Sequence, residues 1–292
     1  MTREAAADRR DSVSDAARDI FADWRLPWFL TISIVLMAAV YVRGWWAIRR
    51  TRPKQFDASR LCSFLAGLAV LWLAIGSPMD GFADALLSAH MVEHLALMMF
   101  VPPLVLYGWP TVPLLRGLPK VVVRWIVGPL LRLRGLRRFG HWLVKPVVAW
   151  FAMNGTLLAW HVPSAYDFAL EHEGWHDVEH LCFLASSILF WWCVVRPWPN
   201  DAQPRSWGVL AYLISADFVN TALSAFLAFC GRPLYPFYAA QQNVFGVSLV
   251  GDQELGAVIM WVVGSLVFVV PAMAITVKML GRGGSRRVQV RV

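Results

Sequence analysis

The sequence predicts an all-α protein: a polytopic membrane helix bundle of about seven transmembrane helices, in which one helical hairpin occurs twice. Three observations predict it. Of the 292 residues, 58% are hydrophobic and only 16% are charged, against about 25% charged in an ordinary soluble domain. Seven apolar runs are each long enough to cross a hydrocarbon layer of roughly 30 Å as a helix. None of them alternates, and all are longer than a buried strand needs, so no strands are expected.

Span one covers 27–48. It follows a charged tail, 1–26, in which Glu4, Asp8, Asp11, Asp15, Asp19 and Asp23 accompany five arginines. No apolar core follows closely on a short basic start, so the span is expected to be a retained anchor rather than a signal peptide. Span two, 59–76, and span three, 84–107, are joined by a short loop. The stretch 119–138 sets Val121, Val122, Trp125, Ile126 and Leu130 among arginines. It reads either as a segment lying on the membrane surface or as an ordinary basic retention loop. Span four covers 143–161 and span five 177–196. Span six, 207–230, carries Asp217, Asn220, Thr221 and Ser224 as a polar stripe at helical spacing, suited to an ion path, to support of a metal site, or to hydrogen bonds between helices. Span seven, 255–280, opens after Asp252 and Glu254, which suit the positive end of a helix dipole. The membrane domain is thus 27–280, and a basic tail, 281–292, closes the chain.

Charge placement gives the orientation. The formal net charge is +8. Of the 27 basic residues, 21 fall in the loops after spans one, three and five and at the C-terminus, while the opposite loops hold only Arg232. The basic side is expected to be cytoplasmic and the N-terminus outside. The charge therefore reads as topology, and a nucleic-acid surface is not expected.

His-Met-Val-Glu-His-Leu at 90–95 returns as His-Asp-Val-Glu-His-Leu at 176–181, 86 residues on. The likeness extends backwards through an Ala-Leu pair, an Asp and a Pro to the end of the preceding apolar run. Spans two and three thus form one copy of a hairpin and spans four and five a second, in the same orientation.

Six of the seven histidines lie on the non-basic side: His90, His94, His161, His172, His176 and His180. Residues i, i+3 and i+4 share a helix face. His90, Glu93 and His94 therefore point one way from span three, and His176, Glu179 and His180 one way from span five. His161, in the Trp-His-Val-Pro turn that ends span four, can join them. Ionisable groups at membrane depth are expensive and mark function, and neutral imidazole suits copper, zinc, iron or nickel. A thioether neighbour such as Met91 would favour Cu(I). Tyr166, Asp167, Asp217 and, more loosely, His172 are further candidates to support the ligands. Three other readings stay open. The histidines and glutamates can be structural glue between helices. They can be axial ligands to haem. Or His-x-x-Glu-His, the order found in one class of zinc hydrolase, can mark a membrane-embedded member of that class. The cysteines, Cys62, Cys182, Cys193 and Cys230, show no metal-binding or disulfide spacing.

Four segments resemble the polytopic CtaG family of cytochrome c oxidase assembly factors: SAHMVEHLALMMFVPPLVLYGWP at 88–110, WHVPSAYDFAL at 160–170, HDVEHLCFLASSILFWW at 176–192 and DQELGAVIMWVVGSLVFVV at 252–270. The resemblance covers roughly 60–280. It implies a non-enzymatic role in forming the oxidase, in a bacterial inner membrane, with oxidase subunits as partners. It also implies copper handling through His90, His94, His161, His176 and His180, with a periplasmic copper carrier as a further partner.

Overall fold

The computed structural model describes residue 15 and residues 17–197, 206–240 and 245–288; much of the charged tail 1–26 and of the basic tail 281–292 lies outside them. Among the described residues every regular element is helical. In chain order these are α1 (Trp28–Arg49), α2 (Ala58–Ile75), α3 (Met79–Ala85), α4 (Leu87–Tyr107), α5 (Thr111–Gly117), α6 (120–132, in three short pieces), α7 (Arg134–Leu143), α8 (Pro146–Trp160), α9 (Pro163–Leu170), α10 (Glu173–Val195), α11 (Ser206–Phe229), α12 (Pro236–Ala240) and α13 (Leu249–Val288).

Six of these are long and apolar enough to cross a membrane, and a seventh span results if α7 and α8 are taken together across their 68° bend. The protein is thus a multi-pass membrane bundle. Span four is shorter as a straight helix than expected. Only 15 residues of α8 run straight, about 22 Å at 1.5 Å per residue. Pro146 starts the helix at a position where its missing N–H costs nothing, and the chain before it turns away as α7. No residue of α6 or α7 is buried, and Trp125, Ile126, Leu133 and Phe139 lie exposed between arginines.

The repeat is a repeat of structure. Each copy is a long helix, a short connecting helix and a second long helix: α2–α3–α4, then α8–α9–α10. Leu87 and Glu173, which open the two motif-bearing helices, are 86 residues apart. The copies meet where α4 packs on α10, and α4 is also backed by α2 and α13. The main apolar core joins Met91, Leu95, Phe183, Phe190, Trp191, Leu213, Met260 and Phe268 beneath the histidines. A second core around Tyr41, Trp45 and Phe64 ties α1 to α2 and α5, and α1 and α5 approach so closely that Gly44 and Gly117 leave no room for a Cβ.

The histidine end and the basic end are opposite ends of α4. His90 lies in its first turns, whereas Arg60 donates to the Tyr107 carbonyl (2.6 Å) at its last residue. The N-terminal segment belongs to the histidine end: Ile20 lies against Gly81, and the Phe21 and Phe82 rings are 6.0 Å apart.

α4 changes pitch midway. Residues Ala96–Phe100 form a π-helical turn, and Pro102 and Pro103 follow. Pro102 has no N–H for the carbonyl four residues back, that of Met98. The Trp191 indole N–H of α10 supplies it, at 3.0 Å. The helix that carries the first histidine motif is thus stitched to the helix that carries the second.

Candidate metal centre

Asp252 fixes the start of α4. Its carboxylate accepts from the backbone N–H groups of Leu87 (2.7 Å) and Ser88 (3.3 Å). These are donors that a helix start leaves without partners, and the negative charge suits the helix dipole. Sequence reasoning assigned Asp252 to the start of its own span. In the structure it caps a different helix, the one that bears His90, Glu93 and His94.

From that start α4 presents His90, Glu93 and His94 to α10, and α10 presents His176, Glu179 and His180 in return. His90, His94, His180, Glu93 and Glu179 are buried, and His176 is half-buried. The two helices interlock by exchange. His94 Nε2 lies 3.6 Å from Glu179 Oε1, and His180 Nε2 lies 3.9 Å from Glu93 Oε2. His90 Nε2 faces His94 Nε2 at 2.8 Å. Two triads of donor atoms each lie within 4.8 Å of one another: His90, His94 and Glu179, and His90, His176 and His180. His90 belongs to both.

His161, at the end of α8, completes the wall. Its Nδ1 donates to the Leu157 carbonyl at 2.7 Å. A carbonyl only accepts, so Nδ1 holds the proton and Nε2 keeps its lone pair. That lone pair has no partner, and the ring lies 6.2 Å from the His94 ring, centroid to centroid. The Tyr235 hydroxyl holds the His161 carbonyl at 3.2 Å.

The burial of these groups sets up a test of fit. Among the described residues, twelve buried side-chain N and O atoms have no hydrogen-bond partner, and nine of them belong to the seven residues His90, Glu93, His94, His161, His176, Glu179 and His180. Each such group costs about 1–3 kcal/mol when left unsatisfied, and a native interior normally satisfies nearly all. A positive ion at the centre would satisfy the carboxylate oxygens and the imidazole lone pairs among them. Imidazole nitrogens and carboxylate oxygens are the donor set that copper and zinc accept.

The other candidates are spread more widely. The Tyr166 ring sits against the centre, 5.3 Å from the His90 ring and 6.4 Å from that of His161. Its hydroxyl meets that of Tyr238 (3.4 Å), which donates to the Ala83 carbonyl (3.1 Å), and burial holds the phenol well above its ordinary pKa. Met91 packs towards Gly256 of α13. Asp167 accepts from the Phe237 backbone N–H at 3.2 Å. Asp217 accepts from Ser265 at 2.7 Å, joining α11 to α13. His172 is exposed and bonds to the Phe168 carbonyl. Cys230 receives the Gln253 amide. Residues not anticipated in these roles are Asp252, Trp191, Tyr235 and Tyr238. Their contacts join segments far apart in the chain, so local pattern carries no sign of them.

Residues 39–282 match the family described as cytochrome c oxidase caa3 assembly factor (Caa3_CtaG). Over 251 residues the chain is 29% identical to an uncharacterized protein of Mycobacterium bovis and to one of Mycobacterium tuberculosis, and 26% identical to one of Mycobacterium leprae. Each match covers 82% of this chain but only 36–37% of the relative. The chain therefore spans a little over a third of the length of the curated relatives it matches. No solved structure matches.

Proposed function

Since the chain belongs to the cytochrome c oxidase caa3 assembly factor family, we propose that it binds copper at the centre between α4, α8 and α10 and hands it to oxidase subunits during their assembly. The observation that carries this reading is the concentration of unsatisfied buried donors, nine of twelve, on the seven residues of one centre. Structural glue would leave few of them without a partner. A cation accounts for both the imidazole lone pairs and the carboxylates.

The packing favours an ion over haem. The imidazole rings of His90, His94, His176 and His180 stand with centroids 4.2–6.1 Å apart, ring against ring, a spacing that suits a single small ion shared among them. It also favours binding over hydrolysis. A zinc hydrolase keeps an open coordination position, whereas here the two copies of the motif close on each other, His94 towards Glu179 and His180 towards Glu93. The role is therefore non-enzymatic, and exchangeable imidazole ligands suit a cargo that has to leave. The protein would lie in the bacterial plasma membrane with its N-terminus and histidine end outside and its basic end in the cytoplasm. A periplasmic copper carrier would release the metal into solution at the outer face.

The test is cellular. Deleting the gene should lower assembled oxidase, and re-expression of the wild type should restore it. Re-expression of His90→Ala with His176→Ala, at equal protein level, should not. Full restoration by the double variant would refute copper handling at this centre.

A further inference from the structure

The centre is closed on one side and open on the other, and the difference follows the repeat. In the second copy His161 and Tyr166 wall it in. Counting back 86 residues, the first copy has Ile75 and Asp80 at these positions. Both line a cavity of about 1030 Å³ that reaches His176 and His180.

The cavity is acidic. Asp80, Asp84, Glu171, Glu173 and Asp177 line it, and among the described residues no Lys or Arg does. A smaller space of about 400 Å³ shares Asp80 and Asp84 and is lined also by Asp19, Asp23 and Arg25. The carboxylates are graded in depth: Asp84, Glu171, Glu173 and Asp177 are exposed and Asp80 is half-buried. Beyond them His180 is only 8% exposed, and its Nε2 has no hydrogen-bond partner. Burial first, and then the neighbouring carboxylates of Asp84 and Asp177, push Asp80 up to about 6.

We infer that this cavity is a loading vestibule, in which exposed carboxylates gather a hydrated metal cation from solution and deliver it to His180 and His176. Carboxylate and water suit an ion that still carries its hydration shell, while imidazole suits the dehydrated ion within. A cleft lined by one sign of charge with apolar walls raises the local concentration of its counter-ion and the rate of its capture. The inference rests on the proposed metal-binding role and concerns the route, not the resting place.

The experiment mixes the purified full-length protein in detergent with Cu²⁺, follows quenching of its tryptophan fluorescence, and assays final copper content. Wild-type loading should slow as salt rises, since charges more than about 8 Å apart are screened at physiological ionic strength. Asp84→Asn, Glu173→Gln and Asp177→Asn together should slow loading about tenfold at low salt, remove most of the salt dependence and leave final copper content unchanged. The exposed pair Glu171→Gln and Glu173→Gln, remote from the core, should give a smaller slowing in the same direction. Loading of both variants at the wild-type rate would overturn the vestibule while leaving the centre standing. A fall in their final copper content would overturn it too, by making the carboxylates ligands. A wild type that takes up no copper would end both this inference and the proposed function.

Discussion

His94 and Glu179 stand 3.6 Å apart across two helices, and His180 and Glu93 repeat the arrangement at 3.9 Å. Each copy of the motif offers its last histidine to the glutamate of the other. The motif is therefore half of a site, and the duplication supplies the second half. Helix spacing brings His, Glu and His to one face; the packing of α4 on α10 makes the two faces complementary.

This exchange predicts coupling. Glu179→Gln and His94→Ala should each lower copper affinity, and the double variant should lose less than the sum of the two, because both remove the same contact. The pair Glu93→Gln and His180→Ala should behave alike. Titration of copper against a competing chelator measures all four corners of each cycle. Strict additivity in both cycles would show that the pairs do not act together.

Asp252 should matter although it touches no donor of the centre. Asp252→Ala removes the acceptor for Leu87 and Ser88 at the start of α4. Losing a helix cap costs about 0.5–2 kcal/mol, so the apparent Tm in detergent should fall. Asp252→Asn, which keeps an acceptor oxygen, should recover part of the loss. Equal melting of Asp252→Ala and wild type would remove the capping role.

Trp191→Phe separates stability from metal binding. It keeps an aromatic ring, deletes the N–H that serves the Met98 carbonyl and leaves part of the buried indole volume empty. One buried unsatisfied carbonyl costs about 1–3 kcal/mol, so the melting temperature should drop. Copper stoichiometry should stay near that of the wild type, since the π-helical turn lies beyond the last motif residue, His94. Loss of copper with unchanged melting would reverse the assignment.

Asp80 gives a pH dependence whose sign is fixed. Its pKa is raised from 3.8 to about 6 by burial and by Asp84 and Asp177. The folded state thus disfavours the ionised form: the penalty is fully present above about pH 6 and disappears as pH falls towards the unfolded value. In metal-free protein, Asp80→Asn should raise the melting temperature at pH 7.5, and the difference from wild type should shrink as pH falls through 6 towards 4. A difference independent of pH would show that Asp80 ionisation is not the cause.

Much of this was legible in the sequence, and the exceptions share one cause. Apolar run length reports span position directly, and the long helices begin and end within a few residues of expectation, apart from the early starts of α10 and α13 and the run of α13 on to Val288. Span four is shorter because Pro146 starts a straight helix of 15 residues, whereas apolar content alone continues back through Trp142 and Leu143. The spacing of the two motifs placed six candidate donors on two faces, but whether those faces meet depends on helix rotation, which a single sequence does not encode locally. Asp252 looked like a cap for its own helix because the neighbouring start of α4 lies 165 residues away. The acidic cavity was illegible for the same reason: Asp80 and Asp84 lie about 90 residues from Glu173 and Asp177, and only the fold gathers them around one space.

The most direct test of the central claim is the metal content of the purified protein, by elemental analysis with an electron paramagnetic resonance spectrum, for the wild type and for His90→Ala with His176→Ala. Bound copper is expected in the wild type, with no haem absorption, and that copper should be lost in a double variant that still folds. Equal copper in the two proteins, or a folded wild type that holds none after copper loading, would contradict it.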